Sequence, residues 1–177
     1  FWDSDTILAL EFMPTPVLVV GGGVIGCEYA CMFAILGVEV TVVEQRGRVI
    51  GCLDGEIVAT LQSQMEALGV RLHFNDCVDS VVAGDKLEVR LKSGTMLKPE
   101  SILVSSGRSG NTKSLGLECL GIAVDSRGLV RVNEHFQTTV PHVYAAGDVI
   151  GSPALASTAM EQALSLIHIS EPTRQAE

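Results

Sequence analysis

The sequence has few basic residues and no cluster of them. Its 177 residues include 12 Lys and Arg against 21 Asp and Glu, which gives a formal net charge of −9. A surface that binds nucleic acid needs a basic patch to neutralise phosphate groups. The composition therefore excludes nucleic acid as a partner.

The sequence also lacks a long uninterrupted hydrophobic run, although its mean hydropathy is +0.36. A helix that spans a membrane needs about 20 consecutive apolar residues. The best candidate, residues 14–38, is interrupted by three successive glycines and by Glu28. We therefore expect no membrane span and attribute the apolarity to parallel strands that are buried on both faces.

Paired cysteines are missing as well. The five cysteines form no C-x-x-C pair, and an odd number argues against a disulfide framework: Cys27, Cys31, Cys52, Cys77 and Cys119. We expect neither a zinc site nor disulfides, and hence a reducing, cytoplasmic location. Cys27 and Cys31 lie four residues apart and are interpreted as small buried residues rather than redox groups or metal ligands. Neither an initiator Met nor a basic signal region opens the chain, so we expect a fragment.

The first 45 residues predict a β-α-β unit. Residues 17–20 form a short β-branched run typical of a buried strand. Three glycines follow, and from Val24 to about Leu36 the pattern is helical, with Gly37 placed to end the helix. Residues 38–43 predict a second buried strand.

Further along, the pattern alternates between helix and strand. Residues 57–68 predict an amphipathic helix, and residues 70–74 a strand. Short strands at 78–83, 87–91 and 95–97 predict an antiparallel β-meander, followed by strands at 102–104, 129–132 and 142–146. The fold class is α/β, with a Rossmann-type domain at 1–113 and a partial second domain at 114–163.

A glycine motif, Gly21-x-Gly23-x-x-Gly26, lies between the first strand and the first helix. In that position it is the dinucleotide fingerprint: the glycines allow a tight turn, close approach of a pyrophosphate, and close packing of helix against strand. The helix N-terminus offers free N–H groups to the phosphates. Glu44 ends the second strand 18 residues after Gly26, near the usual spacing of the acid that binds the ribose.

The choice between NAD and NADP stays open in the sequence. Glu44 would accept from a ribose 2′-hydroxyl and repel a 2′-phosphate, which favours NAD. Arg46 and Arg48 either pair with the 2′-phosphate of NADP or belong to a solvated loop. Glu28, the one charge between Gly21 and Val38, either faces solvent or lies near the nicotinamide. No spacing singles out a catalytic acid, base or nucleophile, or a metal site.

Three motifs in order carry a family resemblance. They are GGGVIGCE from Gly21 to Glu28, SGR ending at Arg108, and VYAAGD ending at Asp148. The chain from Phe1 to Ala163 thereby resembles the flavin-dependent pyridine nucleotide–disulfide oxidoreductases. The resemblance implies NAD, NADP and FAD as cofactors.

The resemblance also implies roles for individual residues. The candidate NAD(P)-binding residues are Gly21, Gly22, Gly23, Ile25, Gly26, Glu28, Glu44, Arg46, Val78 and Gly107. Asp148 would accept hydrogen bonds from the FAD ribitol. A helix that starts within the stretch Ala154, Leu155, Ala156 and Ser157 would direct its N–H groups at the flavin ring.

Hydride transfer between NADPH and NAD⁺ is the activity that the resemblance implies for the parent protein. A disulfide reductase such as dihydrolipoyl dehydrogenase is the alternative, and a nucleotide-binding fragment without turnover is a third. The segment that would decide, with its redox cysteines in disulfide-reducing members, is expected before Phe1. A dimerisation domain, which would make the parent a homo-oligomer, is expected after Ala163.

Residues 164–177 do not fit the rest of the chain. Their sequence, LSLIHISEPTRQAE, resembles the peptide obtained by translating a common transposon-end sequencing adapter. The alternative is an ordinary amphipathic C-terminal helix. We expect the segment to be an adapter-derived tail with no part in fold or function.

Overall fold

The computed structural model describes residues 1–84 and 86–170. The chain divides into two compact units, the first from Phe1 to Gly107 and the second from Arg108 onward. The end of the expected tail, residues 171–177, lies outside the described residues.

A four-stranded parallel sheet forms the centre of the first unit. Its strands lie in the order β3-β2-β1-β7: β1 is Val17–Val20, β2 is Val40–Glu44, β3 is Arg71–Phe74 and β7 is Ser101–Val104. Helix α1 (Val24–Ile35) connects β1 to β2, and α2 (Gly55–Ala67) connects β2 to β3. The predicted β-α-β unit is confirmed. The strand order reverses beside β1, and this is where open α/β sheets bind ligands, at the carboxyl ends of the strands.

The predicted β-meander is also confirmed. Strands β4 (Val78–Ala83), β5 (Leu87–Leu91) and β6 (Met96–Leu97) form a separate antiparallel sheet. Val89 and Leu91 of β5 are fully buried and share a hydrophobic cluster with Leu18 of β1 and Ile102 of β7. The meander therefore covers one face of the parallel sheet.

Helices α1 and α2 pack against the other face of the parallel sheet. Their core includes every second residue of the strands, such as Val17 and Val19 of β1. Val58 and Met65 of α2 are buried there, and Leu61 packs against them. The helix predicted at 57–68 is present as α2. Two of its apolar residues are not buried, because Ile57 is 60% exposed and Leu68, which follows the helix, is 43% exposed. The buried stripe is narrower than the apolar pattern, since only one side of α2 meets the sheet.

The second unit consists mostly of turns, followed by helix α3 (Ala156–Ser170). The strands expected at 129–132 and 142–146 are wrong: each segment makes one isolated bridge, Val130 to Val124 and Tyr144 to Gln137. Only a few backbone hydrogen bonds flank each bridge, such as the one that the Ala145 N–H donates to the Phe136 carbonyl at 3.0 Å, so the pairing is too short to form a strand. Within residues 1–84 and 86–170, no helix has the length and apolarity needed to span a bilayer.

Candidate nucleotide-binding site

The glycine turn begins where β1 ends. Gly21 has φ +105°, a conformation that L side chains rarely adopt. A Cβ built at this residue would lie 2.6 Å from the Ser105 carbonyl oxygen. The Gly21 N–H donates to the Val43 carbonyl at 2.9 Å, so the turn is held beside the end of β2.

Gly26 allows α1 to pack directly against the turn. A Cβ at Gly26 would overlap the carbonyl oxygen of Gly21 and lie 2.7 Å from Ser105 Oγ. Backbone meets backbone here, and neither can move away without opening the turn. This close helix–turn packing is what the third glycine of a dinucleotide fingerprint provides.

Gly23, in contrast, is not required by the protein's own packing. It occupies the N-cap of α1 with extended backbone angles, φ −75° and ψ −175°. A Cβ built there would have nothing within 4 Å. The open space lies at the N-terminus of α1, where unpaired N–H groups favour an anion. The residues present therefore fit a bound pyrophosphate.

Glu44 connects the glycine turn to the loop after β2. Its Oε2 accepts a hydrogen bond from the Gly22 N–H at 2.6 Å, and its Oε1 accepts from the Arg46 N–H at 2.8 Å. The Ile50 N–H donates to the Gly22 carbonyl at 2.8 Å from the same loop. The structure thus brings the candidate ribose-binding acid directly beside the glycine turn.

The two candidate arginines differ in their surroundings. The Arg48 guanidinium donates through Nη2 to the Gly51 carbonyl at 2.8 Å. The guanidinium of Arg46 is exposed and makes no hydrogen bond or ion pair with any residue in the described part of the chain. Arg46 is therefore the one with its donors available for a ligand.

The remaining candidates of the first unit lie on three different elements. Glu28 is exposed on the first turns of α1, at the border of an apolar cavity of about 420 Å³ that Val24 and Ile50 also line. Gly107 follows β7 with φ +126°, and nothing lies within 4 Å of a Cβ built there. Val78 is the first residue of β4 and is partly buried against the hydrophobic cluster that contains Val89 and Leu91.

Cys27 lies under the glycine turn. Its thiol is 3.6 Å from the Gly22 carbonyl oxygen, and the residue is 3% exposed. Burial, with smaller contributions from Cys31, Glu44 and Glu28, raises the pKa of the Cys27 thiol to about 12. The protonated thiol behaves as a small packing residue, because the thiolate is the form that reacts and binds metals. Within the described residues, no three His, Cys, Asp or Glu side chains gather as metal ligands.

One residue of the site, Ser105, was not predicted from the sequence. Ser105 Oγ lies 3.0 Å from both the Val20 and the Gly21 carbonyl oxygens, to which it can donate. It follows β7, whose carboxyl end lies next to that of β1 in the parallel sheet. The available signal was its position just after a predicted strand, because carboxyl ends of neighbouring parallel strands meet at one edge.

The candidate FAD residues all belong to the second unit. Asp148 is exposed in a 3₁₀ turn, and its carboxylate accepts no hydrogen bond from any described residue. The preceding Gly147 N–H donates to Gln162 Oε1 of α3 at 2.7 Å, which joins the turn to the helix. Helix α3 begins at Ala156, within the stretch predicted for its start, so Ala154 and Leu155 precede it. The first N–H groups of α3, those of Ala156 and Ser157 among them, have no partner within the helix.

Solved structures share this fold. The HOCl-induced flavoprotein disulfide reductase RclA from Escherichia coli superposes with a TM-score of 0.87 at 28% identity, over 99% of this chain and 40% of RclA. LpdA from Mycobacterium tuberculosis superposes with a TM-score of 0.86 at 30% identity, over 99% of this chain and 39% of LpdA. The Rossmann-type α/β fold is therefore confirmed.

Curated relatives agree with the motifs. The soluble pyridine nucleotide transhydrogenase of Pseudomonas putida is 46% identical over 162 residues, and that of Pectobacterium atrosepticum is 44% identical. The match covers 91% of this chain but 35% of each relative, so the chain spans about a third of their length. The family model for pyridine nucleotide-disulphide oxidoreductases matches residues 1–163. The chain belongs to the pyridine nucleotide-disulphide oxidoreductase family, which implies FAD and NAD(P) as cofactors.

Proposed function

We propose that this chain supplies the pyridine-nucleotide site of an FAD-dependent enzyme that transfers hydride between NADPH and NAD⁺. The observation that carries the proposal is the glycine turn at the end of β1, open at Gly23 and bonded to Glu44. The similarity to curated soluble transhydrogenases supports the choice of reaction.

Different residues of the first unit bind different parts of the nucleotide. The turn from Gly21 to Gly26, with Gly22 and Ile25 between the motif glycines, and the N-terminus of α1 bind the pyrophosphate. Glu44 binds the adenosine ribose, and Val78 borders the adenosine. Glu28, exposed on α1, lies toward the nicotinamide, and the backbone at Gly107 passes close to the cofactor.

The second unit contributes part of the FAD site. FAD, when bound, supplies the electron-acceptor chemistry that hydride transfer between two nicotinamides requires. The free carboxylate of Asp148 accepts hydrogen bonds from the ribitol hydroxyls. The N-terminus of α3, with Ala154 and Leu155 before it and Ala156 and Ser157 in its first turn, directs N–H groups at the ring.

A transhydrogenase must accept both NAD and NADP, and the opposed charges beside the ribose suit that requirement. Glu44 favours a free 2′-hydroxyl. The available guanidinium of Arg46 favours a 2′-phosphate, since arginine pairs with phosphate through several donors at once. The two side chains begin two residues apart, so NAD meets the carboxylate that favours it, whereas NADP meets one favourable and one unfavourable group.

Disulfide reduction is the second candidate, favoured by the fold similarity to RclA, a disulfide reductase. Cys27 and Cys31, the two cysteines that lie four residues apart on α1, do not suit this reaction, because Cys27 is buried beneath the glycine turn. For the intact protein we propose a cytoplasmic location, which the five free cysteines support. We also propose a homo-oligomer, which rests on the family resemblance alone.

A chimera tests the proposed reaction. Residues 1–163 replace the matching segment of the Pseudomonas putida transhydrogenase, and NADPH-dependent reduction of a NAD⁺ analogue is measured. We expect activity within about tenfold of the parent and none in a Gly23→Val chimera. A chimera that binds FAD and both nucleotides yet transfers no hydride contradicts the proposal.

A further inference from the structure

A second cavity lies in the first unit, at the opposite end of the parallel strands from the glycine turn. Its volume is about 370 Å³, within the range of small-molecule sites. It is lined by residues at the starts of strands, including Val17 of β1 and Arg71 of β3. Gly21 follows the far end of β1, about 13 Å away at the usual rise per strand residue.

The ionisable side chains that line this cavity all belong to basic residues. Arg71 and His73 come from β3, and Lys98 follows β6. No Asp or Glu contributes to the lining, although acidic residues outnumber basic ones by 21 to 12 in the whole chain. Three basic groups converging on one concave surface favour an anionic ligand.

The guanidinium of Arg71 is held in place by the cavity wall. Its Nε donates to Thr41 Oγ1 at 3.3 Å, and Thr41 is 7% exposed. Its Nη2 lies 3.4 Å from Glu39, in a pair whose side chains are 60% and 68% exposed. Exposed pairs of this kind contribute little. Most of the five N–H donors of Arg71 are therefore available, and the group is already oriented.

The other two basic groups also have donors to spare. Lys98 Nζ lies 2.7 Å from Glu88 at the surface, in an exposed pair that uses one of its three N–H groups. The ring of His73 makes no hydrogen bond with any residue in the described part of the chain, and the residue is partly buried. A ligand anion would meet three sets of unused or weakly used donors.

Apolar residues form the rest of the lining. Met96 and Leu97 of β6 line the cavity and Met96 is 50% exposed, whereas Val17 and Leu18 of β1 are each 1% exposed and already packed. A ligand that fills the cavity would cover the exposed apolar surface of Met96. An inorganic ion alone would leave most of this surface uncovered.

We propose that this cavity binds a small organic anion: a carboxylate or phosphate ester that carries a short apolar body. The anionic group pairs with Arg71, His73 and Lys98, and the body lies between β1 and β6. This cavity is separate from the nucleotide site. The proposal therefore does not depend on the function proposed for the nucleotide site.

Titration of the full chain with phenyl phosphate tests the proposal. Binding is measured by calorimetry and by changes in NMR chemical shifts. Phenylacetate is the carboxylate probe and benzyl alcohol the neutral one. We expect both anions to bind at least tenfold more tightly than benzyl alcohol and than inorganic phosphate, and the tighter of the two identifies the preferred anionic group. Binding should be unaffected by saturating NADH.

Substitutions then locate the binding site. Arg71→Gln and Lys98→Gln should each weaken phenyl phosphate binding about tenfold, the scale of one charge-assisted hydrogen bond. Arg90→Gln is the matched control, because Arg90 is exposed on β5 and does not line the cavity. Met96→Trp, at a half-exposed position, should block binding by filling the cavity while leaving the melting temperature unchanged.

Three results overturn the proposal. One is unchanged affinity in Arg71→Gln, Lys98→Gln and Met96→Trp. Another is an equal loss in Arg90→Gln, which indicates attraction by overall charge. The third is full displacement of phenyl phosphate by NADH, which places the probe in the nucleotide site.

Discussion

Glu44 Oε2 accepts a 2.6 Å hydrogen bond from the backbone N–H of Gly22, which joins the acid at the end of β2 to the middle of the glycine turn. The other carboxylate oxygen accepts from the Arg46 N–H. The side chain proposed to bind the ribose thus also fixes the turn proposed to bind the pyrophosphate. Changes at Glu44 are expected to act on both parts of the nucleotide.

Glu44→Ala and Arg46→Ala should shift cofactor selectivity in opposite directions. Glu44→Ala removes an acceptor for the ribose hydroxyls and a repulsion toward a 2′-phosphate, so NAD binding weakens and NADP binding improves relative to it. The loss of one charged hydrogen bond costs about 1.5–3 kcal/mol, or roughly ten- to a hundredfold in affinity. Arg46→Ala should weaken NADP selectively, and more strongly at low salt, where exposed charges are less screened.

Arg48→Ala is the matched control for Arg46→Ala, because its guanidinium is already bonded to the Gly51 carbonyl. The ratio of the NAD and NADP dissociation constants is measured for each variant. If Arg46→Ala leaves this ratio unchanged, Arg46 is a solvated loop residue and takes no part in selectivity.

Cys27 should make the chain less stable at alkaline pH. Burial raises the pKa of its thiol to about 12 from an ordinary value of 9.0, so between these values the unfolded chain loses the proton and the folded chain keeps it. The free energy of unfolding then falls by about 1.4 kcal/mol per pH unit above pH 9 and is unaffected by this group below it.

Urea unfolding of the chain and of Cys27→Ala, from pH 8 to pH 11, isolates this effect. The variant loses a packing atom at every pH, so the difference in stability between the two proteins should be constant to pH 9 and shrink above it. A difference that stays constant to pH 11 would show that the thiol titrates normally.

The regular part of the fold could be predicted because its residues obey simple periodicities. The β-branched runs of β1 and β2 and the turn glycines are local signals, and the structure follows them. The strands expected around Val130 and Tyr144 also contain β-branched or aromatic residues, but a strand needs a partner as well. Each of those residues makes one bridge, and composition alone cannot show whether a neighbouring strand exists.

The site was predictable where one residue type is chemically required. Gly21 needs a positive φ, and Gly26 needs the absence of a Cβ. Ser105 was not predictable in this way, because its hydroxyl acts on carbonyl groups that only the parallel pairing of β1 with β7 brings near. The free guanidinium of Arg46 and the bonded one of Arg48 likewise depend on the path of a loop.

Removal of residues 164–177 should change neither the melting temperature nor the affinity for a pyridine nucleotide. Helix α3 continues past Ala163, but Leu164 and Ile167 are 59% and 54% exposed there. Gln162, which accepts the hydrogen bond that joins the helix to the Asp148 turn, is retained. Thermal melts of the two chains are compared, and a fall of several degrees on truncation would show that the segment is structural.

The glycines of the turn should separate folding from binding. Gly26→Ala forces a Cβ into the Gly21 carbonyl oxygen, so it should lower the melting temperature clearly. Gly23→Val directs its side chain into open space, so it should keep the fold and lower the melting temperature only slightly, through the poorer N-cap residue. If Gly23→Val unfolds the chain instead, the turn glycines have a common structural role and the distinction fails.

Calorimetric titration of NADH and NADPH into the full chain and into folded Gly23→Val tests the central claim most directly. The valine methyl groups would occupy the path by which a pyrophosphate reaches the N-terminus of α1. We predict that at least one of the two nucleotides binds the unchanged chain and that neither binds the variant. Equal affinity in the two proteins would contradict the claim that the glycine turn at the end of β1 is a dinucleotide-binding site.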